Sequence, residues 1–164
     1  MKYLAAPWRS AYVTGLKPED GCVLCGIGRE PEKDRENYVL HREDGFFVVL
    51  NRYPYINGHM MIVPLRHAED FSNLDNRELN MLSRLIVKCE KALVEGMNCM
   101  GMNGGWNLGG CAGAGIEGHM HVHMLPRWSG DTNFMTTTGE TRVISASLED
   151  SYSRLKHFFN VEVT

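Results

Sequence analysis

The chain has 164 residues, about the size of one ordinary domain and enough to bury a single sizeable core. Hydrophobic residues make up 43% and charged residues 23%, the balance of a soluble globular chain, and no uncharged segment is apolar enough over the length needed to cross a bilayer. The net charge of −3 argues against a general nucleic-acid binder, while a phosphate ligand stays compatible provided that positive groups are local.

The start, "MKYLAAPWRS", has only a short apolar run before Pro7 and Trp8, too little for a secretory signal, so a cytoplasmic protein is expected. The five cysteines include an isolated CxxC pair, Cys22 and Cys25, which suits a reducing compartment with a metal or redox site better than a disulfide framework. No repeat, low-complexity tract or charge block divides the chain. The expectation is one domain over 1–164, with an N-terminal extension at 1–20, a core at about 21–135 and a C-terminal helix at about 146–160.

"GFFVVLN" reads as a strand and "HMMIVPL" as its partner, joined through "RYPYING", whose Pro and Gly punctuate a loop. Next, "DNRELNMLSRLIVKCEKALVEG" pairs Asp75 with Glu78 as a capping box and sets Leu82, Leu85, Ile86, Cys89 and Leu93 on one helical face. Gly96 is placed to end that helix. A glycine-dense loop, "MNGGWNLGGCAGAGIEG", follows, then "HMHVHMLPRW" with the period of a strand. Finally, "SLEDSYSRLKHFF" can put Leu148, Tyr152, Leu155 and Phe159 on one face of a short helix. Without regular βαβ alternation, this order predicts an α+β fold around an antiparallel sheet.

In a strand, residues two apart share a face at roughly 6.5 to 7 Å, so His119, His121 and His123 form a row while Met120, Val122 and Met124 face the core. The row reads as a polar surface on a buried support. A metal clamp, a nucleophilic site and a chance cluster are the candidate readings, and three histidines in register favour a function over chance. Ahead of the row, "GAGIEG" from Gly113 to Gly118 spells GxGxxG, but a dinucleotide fingerprint needs a strand before it and a helix after it. Here it leads into a strand. What survives is a loop whose backbone N–H groups can approach an anion closely and cradle phosphate.

"HMHVHML" resembles the motif of the histidine triad family, His-φ-His-φ-His-φ-φ with φ apolar. "LNRYPYINGHMMIVPLRH" is similar to the strand, loop and strand that those proteins carry upstream. "APWR", "CVLC", "NLGGCAGAGIEGH" and "PRWSGDTNFM" resemble its bacterial branch related to diadenosine tetraphosphate phosphorylases and hydrolases. The resemblance implies an antiparallel sheet of about five strands with one long helix and a C-terminal helix, in a homodimer that joins two sheets.

It also implies nucleotidyl transfer on a nucleoside polyphosphate, adenosine being the favoured base, with no organic cofactor, nucleic acid or membrane as partner. The middle histidine, His121, would attack the α-phosphorus and form a nucleotidyl-imidazole intermediate that water or phosphate then releases. His123 would hydrogen-bond to phosphate oxygens, and backbone N–H groups around Gly113, Gly115 and Ile116 would stabilise the equatorial oxygens. Asn51 matches a ribose-contacting position and Asn107 one close to the phosphates. This chain departs from the pattern where relatives carry a Ser, Thr or Gln side chain for phosphate. Gly115 and Ile116 stand there instead, which leaves the choice between phosphorolysis and hydrolysis open.

For the CxxC, no apolar strand precedes "EDGCVLCGIGREPEK", so a metal is favoured over a redox pair or two buried thiols. Family members that keep the pair complete a structural zinc site with positions matching His67 and His119, which would make His119 a ligand within the triad. Two other classes compete: a non-catalytic nucleotide-binding or sensor protein, and a zinc-dependent hydrolase that holds its metal with all three histidines. Cys89 reads as core; Cys99, Cys111, His41 and His157 show no partner spacing, and Trp106 and Trp128 flank the site without an assigned role.

Overall fold

The computed structural model describes residues 21–141 and 143–159; the proposed extension at 1–20, including "APWR", lies outside them. Helix α1 spans Val23–Arg29, strands β1 Val39–Glu43, β2 Phe46–Leu50 and β3 Met60–Pro64, and the long helix α2 Asn76–Met97. β4 is Gly101–Gly105, β5 Val122–Arg127, α3 the single turn Phe134–Thr137, and α4 Leu148–Phe159. The strands form one antiparallel sheet in the order β1-β2-β3-β5-β4.

The predicted hairpin is β2 with β3, in unbroken register from Phe46↔Pro64 to Leu50↔Met60. Two strands escape the sequence reading. β1 joins β2 through Asp44 and Gly45, both at positive φ (41° and 84°), as a two-residue hairpin turn that matches the sheet twist requires. β4 comes from the segment read as loop: its glycines have little intrinsic strand preference, and pairing with β5 over Gly101↔Arg127 to Gly105↔His123 holds it extended.

One face of the sheet carries Phe46, Val48, Leu50, Met60, Ile62, Val122 and Met124 against Leu82, Leu85, Cys89 and Leu93 of α2 and Leu155 and Phe159 of α4. Asp75 and Glu78 close the capping box that starts α2. Gly96 does not end this helix. It runs on to Met97 and is capped by Asn98 in the left-handed region (φ 49°), whose carbonyl, with that of Met97, accepts from the Trp128 indole N–H. A Cβ at Gly96 would lie 2.9 Å from the Phe158 ring, so the glycine serves the close approach of α4 to α2. The opposite sheet face carries a second core of Leu24, Val39, Phe47, Val49, Met61 and Val63, roofed by α1 and by Ile116.

Candidate functional site

Because β3 pairs with β5 at Met61↔His123, His123 lies on the second face beside Met61, while Met120, Val122 and Met124 enter the main core as expected. The row is not a solvated surface, however. His119, His121 and His123 are 0%, 6% and 8% exposed, enclosed because the second face carries a core of its own. β5 itself begins at Val122, and His119 and His121 sit on its extended lead-in, which the Met120 N–H ties to the Ala68 carbonyl.

Each ring has a defined proton. His121 Nδ1 lies 2.9 Å from the His119 carbonyl, which can only accept, so Nδ1 carries the hydrogen and Nε2 the lone pair. Among the described residues no side-chain nitrogen or oxygen is both sealed from solvent and unpaired. Nε2 of His121 has no hydrogen-bond partner among the described residues. Burial lowers the His121 pKa, which keeps the ring neutral.

His123 has a partner that sequence reasoning missed. His59, 1% exposed, places Nε2 at 2.9 Å from His123 Nδ1. Its Nδ1 accepts the Tyr55 N–H at 3.1 Å and the Asn51 amide at 3.4 Å, and Asn51 Oδ1 accepts the Tyr53 N–H at 2.9 Å, which orients that amide. With Nδ1 occupied as an acceptor, His59 donates from Nε2, and the His123 hydrogen is left on its own Nε2. Burial, reinforced by His123 and His121, pushes His59 down to about 3, and burial with His121 pushes His123 down to about 4. The Tyr55 ring lies 4.7 Å from that of His59, centroid to centroid. His59 lies 64 residues from His123, so no spacing rule finds it; its signal is a histidine opening the strand that pairs with the row.

His119 has a different set of partners. Its Nε2 donates to the Pro64 carbonyl at 2.9 Å, leaving Nδ1 bare at 3.2 Å from Cys22 Sγ and 3.4 Å from Cys25 Sγ. His67 Nδ1 is 3.3 Å from Cys25 Sγ, and all four donor atoms lie within 4.8 Å of one another. Donors about 2.0 to 2.3 Å from a tetrahedral ion stand roughly 3.5 Å apart, so these four residues fit one metal ion and leave no further protein ligand to find. Burial and the neighbouring Cys22 raise the Cys25 thiol, a cost that a bound cation reverses.

In the glycine loop, Gly109 and Gly113 hold positive φ (78° and 83°) around a short 3-10 turn, Gly110–Ala112. The N–H groups of Ala112, Gly113 and Ala114 bond back to Gly109 and Gly110 carbonyls, and the N–H groups of Gly115 and Ile116 have no partner among the described residues. Ile116 anchors the loop by packing on the second core. Asn107, half-buried, lies between β4 and this turn. Trp128 caps α2, and Trp106 packs edge-on against Phe71 with 57% of its surface exposed.

The HIT domain model matches residues 32–130, more than half of the chain. The chain belongs to the HIT family. An AP-4-A phosphorylase of Mycobacterium tuberculosis is 38% identical over 118 residues, which cover 72% of this chain and 60% of that relative; the chain thus spans well under two thirds of its length. A HIT-like protein of Mycoplasma genitalium is 27% identical over 85% of this chain and 94% of its own. Among solved structures, a zinc-bound histidine triad family protein of Mycobacterium smegmatis shares the fold with a TM-score of 0.68 at 23% identity, covering 85% of this chain and 93% of that one. Helix α1 with Cys22 and Cys25 precedes the span matched by the HIT model, so the four-donor cluster joins a segment outside that span to residues within it.

Proposed function

We propose that the protein transfers nucleotidyl groups from nucleoside polyphosphates of the diadenosine polyphosphate type through a covalent intermediate on His121. The observation that carries this reading is the bare Nε2 of His121, held by the Nδ1–H bond to the His119 carbonyl. Its lone pair attacks the α-phosphorus, forming a P–N bond as the P–O bond to the leaving phosphate breaks and its electron pair leaves with oxygen. His123 Nε2–H faces that charge as a donor, with His59 holding its tautomer. The free N–H groups of Gly115 and Ile116, in a loop shaped by Gly113, bind the equatorial oxygens. Asn107 stands near the phosphates, and Asn51 near the ribose as well as His59. Water or inorganic phosphate then attacks phosphorus, and the P–N pair returns to Nε2.

Similarity to an AP-4-A phosphorylase supports this substrate class and phosphate as acceptor. The test is product analysis of diadenosine tetraphosphate incubated with and without inorganic phosphate: ADP that appears only with phosphate marks a phosphorylase, AMP in both a hydrolase. No turnover of any nucleoside polyphosphate, with nucleotide binding retained, overturns the enzyme reading in favour of a sensor.

The four-donor cluster we assign to structural zinc, supported by its closed Cys2His2 donor set and by the zinc-bound relative of the same fold. A cytoplasmic location suits its reduced thiols, and among the described residues no helix is long and apolar enough to cross a membrane. A homodimer is supported by the sheet edges. On the β1 side, carbonyls of Val39 and Leu40 accept from Lys156 and Tyr152, whereas β4 ends the sheet with Gly101, Asn103 and Gly104 exposed. Analytical ultracentrifugation is expected to give twice the chain mass.

A further inference from the structure

Arg42, on β1, bonds through two guanidinium nitrogens to the helix that carries the CxxC pair and through Nε to Asp34. NH1 donates to the Gly28 carbonyl at 2.9 Å and NH2 to the Ile27 carbonyl at 2.8 Å, both in the last turn of α1. Nε donates to Asp34 Oδ2 at 2.9 Å and Oδ1 at 3.0 Å, and NH2 also reaches Oδ1 at 2.6 Å. The guanidinium lies over the Phe47 ring, 5.4 Å from its centroid, and only 20% of the side chain is exposed.

A helix of seven residues is too short to hold its shape alone, and its last carbonyls have no partners within the helix. Leu24 and Cys25 are its buried anchors, with Cys22 and Ile27 packed less deeply on the same core, and these apolar contacts alone leave its last turn some freedom to rotate. Arg42 removes that freedom: a cation at the C-terminus complements the helix dipole, and its planar fork fixes two carbonyls and a carboxylate at once. Cys22 and Cys25 sit at the opposite end of the same helix, so its orientation sets where both sulfur atoms lie relative to His67 and His119.

We infer that Arg42, locked by Asp34, is a positioning residue of the metal centre, acting through α1 to hold the two thiolates in ligating geometry. This rests on the zinc assignment above. It predicts that the strength of metal retention is governed from a residue that touches no ligand, and that lysine cannot replace arginine there, since one ammonium cannot span both carbonyls and both carboxylate oxygens.

The test is the rate of zinc release to a chelator from the purified full-length protein, with the zinc content of the wild type measured first. Arg42→Lys, Arg42→Ala and Asp34→Asn are compared with Arg35→Ala, whose guanidinium pairs with Glu149 and covers Tyr152 on α4, away from α1. The Arg42 variants are expected to release zinc about tenfold faster or more, the range for groups that orient metal ligands. The gain in Tm on zinc loading is expected to shrink in them. Arg35→Ala is expected to lower Tm in both states and leave release unchanged. Wild-type release rates in Arg42→Lys and Arg42→Ala, or equal acceleration by Arg35→Ala, overturn the clamp alone. A wild type without zinc overturns the zinc assignment and the clamp with it.

Discussion

His59 Nε2 lies 2.9 Å from His123 Nδ1, and because His59 Nδ1 already accepts from Tyr55 and Asn51, the hydrogen between the two rings belongs to His59. The loop before β3 thereby dictates that His123 carries its hydrogen on Nε2. His59→Phe removes this control and is expected to lower kcat by about 100-fold, within the range for a mispositioned acid or base. Asn51→Asp, which sets a carboxylate opposite Nδ1 and so favours the reverse proton arrangement, is expected to lower kcat more than Asn51→Ala. Rates near wild type in His59→Phe would separate His59 from the chemistry.

Both rings stay neutral well below the ordinary histidine value. Burial holds His59 at about 3 and His123 at about 4, whereas the unfolded chain takes up these protons near 6.5. The unfolded state therefore binds more protons between those values, so the stability tied to the neutral pair is complete above about pH 6.5 and drains away as pH falls toward 3. Tm is expected to drop steadily from pH 6.5 to pH 4 and to drop less in His59→Phe. An equal slope in the two proteins would reject the assignment. Activity corrected for folded fraction is expected to persist below pH 6.5.

Elemental analysis is expected to find about one zinc per chain, lost in Cys22→Ser and Cys25→Ser, because four protein donors close a tetrahedral site. Those variants should melt lower while keeping activity in the fraction that stays folded, and His119→Ala should lower Tm more than His121→Asn does. Activity that vanishes on chelation with the fold intact, and returns with zinc, would instead favour the metal-dependent hydrolase.

Gly96→Val is expected to destabilise by about 1 to 3 kcal/mol, since its side chain enters the contact between α2 and Phe158. Thermal or urea unfolding measures this. A neutral result would reject the close approach of Phe158 as the reason for a glycine at this position.

Elements with a strong internal period were legible. Helix α2 shows its face from Leu82 to Leu93, and β2, β3 and the alternation after His119 show theirs. β4 was not legible because nothing in Gly101–Gly105 favours a strand except its neighbour β5. β1 has a turn signal in Asp44-Gly45, but the mixed polarity of Val39–Glu43 gives the strand itself no clear period. At the site, Cys22 and Cys25 offer a ligand pair by their spacing, while His67 and His119 are reached through the family resemblance. His59 escaped both routes, since its role exists only once β3 is laid beside β5.

The central claim, a covalent intermediate on His121, is tested most directly by rapid mixing with diadenosine tetraphosphate, quenching under neutral denaturing conditions that spare a P–N bond, and mass analysis of the intact chain and its peptides. The account predicts a transient gain of one AMP located on His121 and decaying at the rate of turnover, absent from His121→Asn, which still binds nucleotide within about tenfold of wild type. Turnover without any adduct, an adduct on another residue, or most of the activity surviving in His121→Asn would contradict it.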